Sequence, residues 1–337
     1  MNTRLLKDST LLVANPLPRG SRASLTSVSL VGVQRELLGA HFLLLAGLLR
    51  KSARVDYAHL APQDLMERRI VLTLFRLEEA RVSHLAAVLG NDIGQVSRAL
   101  GSLRKAVLVS RDRQRDPYRL TARGQELAKS MQDVALRRER DLTWGFEPLE
   151  LFELGGLLAN LLQRASSLLA EESSRAEREE HAGDQAAEGG PAEIHSRVHP
   201  AVVSVATTIG RSASLAFKRL AGLSSYEWRI LANIAYRPCV SFTELVGHIY
   251  SDKAQVSRAL DGMVQRELVS RSGAQPGERV GFSLTAEGQR LHDVMETDSL
   301  RRNAILVADM KPAQRDRLQT YLERLIRNAN AMVADAQ

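Results

Sequence analysis

The stretch Gln95-Val96-Ser97-Arg98-Ala99-Leu100 occurs a second time in the chain, unchanged, as Gln255-Val256-Ser257-Arg258-Ala259-Leu260. Leu108-Val109-Ser110-Arg111 likewise returns as Leu268-Val269-Ser270-Arg271, at the same separation of 160 residues. Two motifs that repeat in register indicate an internal duplication, and a duplication must be recognised before single elements are assigned. We therefore interpret the chain as two copies of one unit.

Length, charge and cysteine content narrow the class of protein. The 337 residues leave room for about two domains of ordinary size. The net charge is +7 and the pI is about 9.8, which is consistent with a polyanionic partner without requiring one. Cys239 is the only cysteine, so an intrachain disulfide and a cysteine metal cluster are excluded. Residues 1–20 lack the apolar core of a signal peptide, and we expect a cytoplasmic protein.

Periodicity and capping signals predict a winged helix-turn-helix in the first copy. We expect a helix over residues 65–77, a second helix capped by Ser83, and a third opened by Asn91-Asp92. The third helix carries the repeated hexapeptide, and its apolar residues Val96, Leu100 and Leu103 are spaced as one helical face. Residues 107–110 and 119–121 are predicted to form two strands around a polar loop, before a long helix capped by Thr121.

The second copy follows the same order. Ser224 or Ser225 is predicted to cap its first helix and Ser241 its second. Beyond the loop that follows Arg271 the separation becomes 164 residues, and it holds to the end of the chain. A length change confined to one loop supports the strand–loop–strand interpretation, because wings tolerate insertions and helices do not. We predict a loose arm at 1–29, a first unit at 30–170, a flexible linker at 171–197 and a second unit at 198–337.

Three motifs of the second half resemble the MarR family of transcriptional regulators: Leu223 to Leu231, Asp252 to Arg258, and Leu284 to Gly288. The first half resembles the family more distantly, since Met66 to Val71 lacks the tryptophan. The resemblance implies a mainly α fold with small β-wings and a homodimer whose first and last helices interlock. Two units in one chain then imply a covalent pseudo-dimer packed through its long N- and C-terminal helices. A dimer of tandem chains remains an alternative.

The family resemblance also implies a function, that of a regulator binding double-stranded DNA, more often a repressor than an activator. The hexapeptide helices would enter the major groove and the wings would contact the backbone. The DNA-binding candidates in the first copy are Gln95, Ser97, Arg98, Arg111, Arg113 and Arg115. Those in the second copy are Lys253, Gln255, Ser257, Arg258, Arg271 and Arg279.

The two helices that carry the hexapeptide differ just before it. Lys253 in the second copy corresponds to Ile93 in the first, and the family resemblance places a basic residue of this kind near DNA. We therefore predict either an operator with unequal halves or weaker binding of DNA by the first copy. An ordinary solvated surface charge is the alternative interpretation of each wing arginine.

The remaining reactive side chains give weaker indications. His41 is a candidate for lining an effector pocket between the helical layer and the winged unit. Cys239 is expected to be a buried packing residue, and Arg137-Arg138 and Arg301-Arg302 either a solvated face or interface ion pairs. The histidines show no metal-ligand spacing and no catalytic motif is present, so we expect no metal, no cofactor and no enzymatic activity. The alternative function is a protein-interaction scaffold that uses winged domains without specific DNA binding.

Overall fold

The computed structural model describes residue 30 and residues 32–60, 65–89, 91–113, 115–180, 197–249, 253–272 and 280–334. The arm predicted at 1–29 lies outside these residues, as do residues 181–196 of the predicted linker. Residues 171–180 of that linker continue the preceding helix. Over the described residues no helix is long and apolar enough to cross a membrane.

The first half contains six helices and three short strands among its described residues. They are α1 Leu38–Asp56, α2 Leu65–Leu77, β1 Glu79–Ala80, α3 Val82–Leu89, α4 Ile93–Lys105, β2 Val109–Ser110, β3 Tyr118–Leu120, α5 Ala122–Leu142 and α6 Pro148–Glu180. Short 3-10 turns at Gly32–Arg35 and Ala58–Leu60 flank α1. The first long helix therefore begins at Leu38, within the first unit predicted at 30–170.

The second half repeats this order of elements. They are α7 Val198–Ala221, α8 Ser225–Tyr236, β4 Val240–Ser241, α9 Phe242–Ile249, α10 Lys253–Gln265, β5 Val269–Ser272, β6 Gly281–Leu284, α11 Ala286–Leu306 and α12 Pro312–Ala334. Each half has one antiparallel three-stranded sheet, with strand orders β1-β3-β2 and β4-β6-β5. The central strands are β3 and β6, which precede α5 and α11. Each pairs on one side with β2 or β5, its partner in the wing hairpin, and on the other side with β1 or β4, the strand before the helix-turn-helix.

Four of the predicted helix caps are present. The side chains of Asp92, Thr121 and Ser224 accept hydrogen bonds from backbone N–H groups in the first turns of α4, α5 and α8. Ser241 accepts from the N–H of Glu244 at 3.3 Å, ahead of α9. The prediction for Ser83 was wrong, because α3 begins at Val82 and Ser83 lies within its first turn.

Three apolar cores hold the chain together. One lies inside the first winged segment, around Leu74, Leu100 and Met131. A second lies inside the other winged segment and includes Trp228 and Leu260. The third is built by the long helices α1, α6, α7 and α12, with the ends of α5 and α11. The two winged segments are therefore joined by one helical layer to which both halves contribute.

The helical layer is made by exchange between the halves. Helix α1 packs against α12 and α7, while α6 packs against α7. Glu139 on α5 accepts hydrogen bonds from the N–H groups of Val198 at 2.7 Å and His199 at 3.0 Å, at the start of α7. Asn303 on α11 in turn accepts from the N–H of Leu38 at 2.9 Å, at the start of α1. Each half thus caps the first helix of the other half.

Candidate nucleic-acid interface

Helix α4 turns its apolar stripe inward and its candidate contact residues outward. Val96, Leu100 and Leu103 are fully buried, as their spacing predicts. Gln95, Ser97 and Arg98 are exposed on the other side of the helix. The Asp92 cap accepts a hydrogen bond from the N–H of Gln95 at 3.1 Å. These three side chains are therefore presented together to solvent at the start of a capped helix.

Helix α10 presents the corresponding residues in nearly the same way. Lys253, Gln255 and Arg258 are exposed. Ser257 is half-buried, and its hydroxyl donates to an Asp261 carboxylate oxygen at 3.4 Å. Gly101 stands in the place of Asp261 on α4, so Ser97 has no corresponding partner. Ser257 on α10 is therefore held by Asp261, whereas Ser97 on α4 is exposed.

The wing arginines sit beside buried aromatic rings in both halves. The Arg111 guanidinium lies 4.8 Å from the centroid of Tyr118, and that of Arg271 lies 5.8 Å from Phe282. Such a cation–π contact restrains the side chain while its charge stays available at the surface. Arg113 and Arg115 are exposed on the first wing, whereas Arg279 lies outside the described residues.

A threonine and a glycine fix the corner between each wing and the helix after it. The hydroxyl of Thr121 donates to the carbonyl of Val107 at 2.7 Å and accepts from the N–H of Gly124 at 3.1 Å. A Cβ at Gly124 would lie 2.1 Å from the carbonyl oxygen of Leu108. Thr285 and Gly288 repeat this arrangement in the second half. No larger residue than glycine fits here, so the wing keeps one orientation relative to its helix.

The two candidate reading helices carry different charges. Ile93, at the first position of α4, is 56% exposed, where α10 has Lys253. Arg104 and Lys105 are exposed near the end of α4, where α10 has Val264 and Gln265. Together with Asp261, these differences make the exposed face of α4 the more basic of the two, despite the loss of the lysine. The sequence comparison of Ile93 with Lys253 alone missed this compensation.

A cavity of about 130 Å³ lies between the helical layer and the second winged segment. Apolar residues of α1, α6 and α7, with Trp228 of α8, form most of its wall. Polar groups come from Arg302, Ser212, Asn233 and Arg229. The Arg302 guanidinium donates to the Ser212 hydroxyl and lies 3.6 Å from a Glu172 carboxylate oxygen. Its Nη1 and the indole Nε1 of Trp228 have no hydrogen-bond acceptor among the described residues.

The corresponding place in the first half is closed by an ion pair. Arg138 is 2% exposed, and it forms a salt bridge to Asp56 and a 3.1 Å hydrogen bond to the Ser52 hydroxyl. Its other terminal nitrogen donates to the carbonyl of Leu49 at 2.7 Å. Arg138 and Arg302 are thus buried ion-pair residues at the interface, and they do not belong to a solvated face.

His41 is placed away from the cavity. Its ring is buried, with Nδ1 3.0 Å from the carbonyl oxygen of Leu37 and Nε2 3.2 Å from the amide nitrogen of Gln319 on α12. Burial lowers the pKa of this imidazole, although the Leu37 carbonyl and Glu323 act in the opposite direction. His41 is not among the residues that line the cavity. Arg302 and Trp228 were missed, since tertiary packing alone brings them together.

The expectation of a buried Cys239 was wrong, because this residue is exposed. Its backbone adopts φ of 63°, in the left-handed region, and its Sγ lies 3.4 Å from the Ser283 hydroxyl oxygen. The Cys239 N–H donates to the Ser283 hydroxyl at 3.1 Å. One group on α11 has ligand-type atoms within 4.8 Å of one another, namely His292, Asp293 and Glu296; the last two are surface carboxylates of a common kind.

Comparisons with known proteins give a family for the second winged segment. Residues 223–274, from the start of α8 to the second wing, match the sequence profile of the MarR family. No curated protein sequence matches the chain.

Several solved structures are similar to parts of the chain. A MarR/EmrR family transcriptional regulator from Acinetobacter sp. ADP1 is 24% identical with a TM-score of 0.33, over 36% of this chain and 86% of its own. The transcriptional regulator SlyA is 16% identical with a TM-score of 0.36, over 39% and 93%. The PcaV regulator from Streptomyces coelicolor, in complex with its natural ligand, is 18% identical with a TM-score of 0.30, over 35% and 84%. The chain carries a MarR family domain at residues 223–274.

Proposed function

We propose that the protein is a transcriptional regulator that binds specific sequences in double-stranded DNA and represses by occupying a promoter. The observation that carries this proposal is the repeated, solvent-facing arrangement of glutamine and arginine on α4 and α10. Glutamine can read the edge of adenine, and arginine can read guanine or bind phosphate. The helix N-termini favour a nearby phosphate as well. Each wing would then contact the backbone through Arg111 or Arg271. Such a regulator acts in the cytoplasm, with the DNA.

The two halves are proposed to act as a covalent pseudo-dimer on one operator. The exchanged caps from Glu139 and Asn303 support this, as does the packing of the first helix of each half on the last helix of the other. A rigid helical layer would hold the two reading helices at a fixed separation. Reading helices that face successive turns of the major groove are about 34 Å apart.

Unequal reading of the two half-sites follows from the helix differences. Exposed Ile93 offers an apolar contact of the kind that a thymine methyl group makes. Lys253 offers a charge that binds phosphate without discriminating between bases. Asp261 holds Ser257 and adds a negative charge to α10. We therefore expect an operator whose halves differ at the bases nearest to these helix starts.

We propose that the cavity beside Arg302 binds a small effector. Its apolar wall with a few convergent polar groups is typical of ligand sites. The Arg302 Nη1 makes no hydrogen bond and lies 3.6 Å from a Glu172 carboxylate oxygen, so an anionic group would compete with Glu172 for this nitrogen, and the apolar wall suits an aromatic ring. Titration calorimetry with small aromatic carboxylates should give binding that Arg302→Met abolishes and Arg301→Met preserves. Equal binding by both variants would show that these carboxylates do not bind beside Arg302.

The salt dependence of duplex binding separates a DNA-binding regulator from a protein scaffold. Binding weakens as the salt concentration rises, and each phosphate contact adds about −0.9 to the slope of log K against log salt. The Arg98→Ala/Arg258→Ala protein should bind operator duplex more weakly and with a smaller slope. A Lys311→Ala/Arg327→Ala protein loses the same charge, from the residue before α12 and from α12 itself, and should match wild type. Binding that is weak, insensitive to salt and equally affected by both pairs would favour the scaffold.

A further inference from the structure

Helix α6 has an exposed face without a charged side chain. Leu149 and Phe152 are 77% and 82% exposed. They belong to a stripe at spacings of three and four residues, which lie on one side of a helix. The exposed stripe continues through Gly156, Ala159, Gln163, Ser167 and Ala170. A solvent-facing helix side normally carries charged residues, so this face is unusual for a surface that meets only water.

The duplicated chain supplies an internal comparison, because α12 occupies the corresponding place in the second half. Its exposed residues at the positions of Leu149, Phe152, Gly156, Ala159 and Gln163 are, in order, Ala313, Asp316, Thr320, Glu323 and Arg327. The outer face of α12 is therefore charged, as expected for a helix in water. The apolar face of α6 is not a general property of this position in the fold.

Gly156 has no explanation within the described part of the chain. A glycine in a helix interior lowers helix stability relative to alanine. A Cβ at this position would meet nothing within 4 Å, so no neighbour in the structure requires a small side chain. A surface that keeps glycine beside exposed phenylalanine suits a partner that approaches closely.

We propose that this face binds a second copy of the chain through antiparallel packing of the two α6 helices. In one antiparallel register Phe152 lies over the partner's Gly156, and Leu149 lies over the partner's Ala159. Each large side chain then fills the space above a small one, and the two-fold axis makes both pairings occur twice. This proposal does not rest on the DNA-binding function.

Self-association explains features that another partner would leave unexplained. In this register only residues near the two-fold axis approach their own counterparts, so a charge at position 152 or 156 would lie close to the like charge of the partner. The uncharged stripe avoids that repulsion. Leu149 and Phe152 offer roughly 300 Å² of apolar surface in each copy. These residues of two copies supply roughly 600 Å², so the rest of the stripe must supply the remainder of a specific interface, which buries about 1,000 Å² or more. The shared helical core continues into this segment, since Phe146 and Leu151 pack against it.

Sedimentation velocity of the full chain tests the proposal directly. The wild-type chain should dimerise at micromolar concentration, and Phe152→Arg should raise the dissociation constant by about 100-fold or more. Asp316→Arg, the matched substitution on α12, should leave association unchanged. A wild-type chain that stays monomeric, or a dimer that Phe152→Arg does not weaken, would overturn the proposal. Both substituted positions are exposed, and thermal melts of the variants verify folding.

A swap of the large and small residues tests the register. Phe152→Ala removes the large side chain and Gly156→Phe fills the small position, so each alone should weaken the dimer at least about 10-fold. The double variant exchanges their places and should recover most of the wild-type affinity. A double variant no tighter than the weaker single variant would overturn the register. If the full chain is monomeric and deletion of residues 1–29 produces a dimer, the arm occupies this face and the proposal fails.

Discussion

Arg138 and Arg302 stand at the same place in the two halves of the chain, yet they have different surroundings. Arg138 is closed in by Asp56, Ser52 and the Leu49 carbonyl. Arg302 shares Glu172 with Arg175 and Arg219, and it borders a cavity. Ala216 stands where Asp56 would be needed to close the second site. Both halves have a buried arginine at this interface, while the partners of that arginine differ.

We propose from this difference that the first half is the support and that the second half is the one that responds to a ligand. A buried charge without its partner is costly, whereas a charge shared among several partners tolerates the loss of one of them. The same division applies to the surfaces, where α6 and α12 differ in charge and α4 and α10 differ at Ile93 and Lys253. Single substitutions in each half should therefore have different effects.

The largest effect is expected at the closed ion pair. Arg138→Met should lower the free energy of unfolding by about 3 kcal/mol, because half-buried Asp56 and buried Ser52 lose their partner. Arg302→Met should cost only about 1–2 kcal/mol, since Glu172 keeps hydrogen bonds to Arg175 at 2.8 Å and Arg219 at 3.0 Å. Urea unfolding of both variants measures this, and equal losses would refute the contrast.

The junction between the halves should be sensitive to acid. Burial, assisted by the charge of Arg138, lowers the pKa of His199 to about 4. Its neutral form is therefore favoured in the folded protein. Stability from this residue is complete above about pH 6.5 and is lost as the pH falls towards about 4, by about 3 kcal/mol.

His199→Gln removes this titration and should flatten the dependence of unfolding free energy on pH between 7 and 4. Burial raises the pKa of Glu139. Protonation of this carboxyl therefore stabilises the folded state as the pH falls, which is opposite in sign to the effect of His199. Glu139 is present in both proteins and does not alter the difference between them. Parallel pH profiles for wild type and variant would contradict the assignment to His199.

The reading helices should show an intermediate effect. Arg98→Ala and Arg258→Ala should each weaken operator binding by about 1–3 kcal/mol, which is typical for loss of one base-reading arginine. The losses should be unequal and should map to different half-sites. Titration of each variant against operators with one half-site scrambled measures both effects. Loss of the same size on either half-site would indicate that the helices read alike.

The smallest effect is expected at the first wing. Arg113→Ala and Arg115→Ala should weaken binding to all duplexes uniformly and lower the salt slope by about one each. Both side chains are exposed, so the fold should be unaffected. A change in sequence preference would instead place these residues at base edges. Binding isotherms at several salt concentrations make the distinction.

Local patterns predicted the order of elements and most caps, because spacing and capping act over three or four residues. The stripe of Val96, Leu100 and Leu103 and the caps at Asp92 and Thr121 are of this kind. Contacts between distant parts of the chain were not predictable in the same way. The Glu139 cap of α7, the ion pair of Arg138 and the cavity at Arg302 all depend on how the halves exchange helices. Cys239 was misjudged because its left-handed backbone conformation leaves no signal in the pattern of apolar residues.

The central claim is that one chain reads DNA with two unequal winged units. Hydroxyl-radical footprinting of an operator, found by mapping bound sites genome-wide, tests it most directly. We expect two protected regions about one helical turn apart, roughly 34 Å, with Arg98→Ala weakening protection of one and Arg258→Ala weakening the other. A single protected region, or equal weakening of both regions by each variant on a perfect palindrome, would contradict the account.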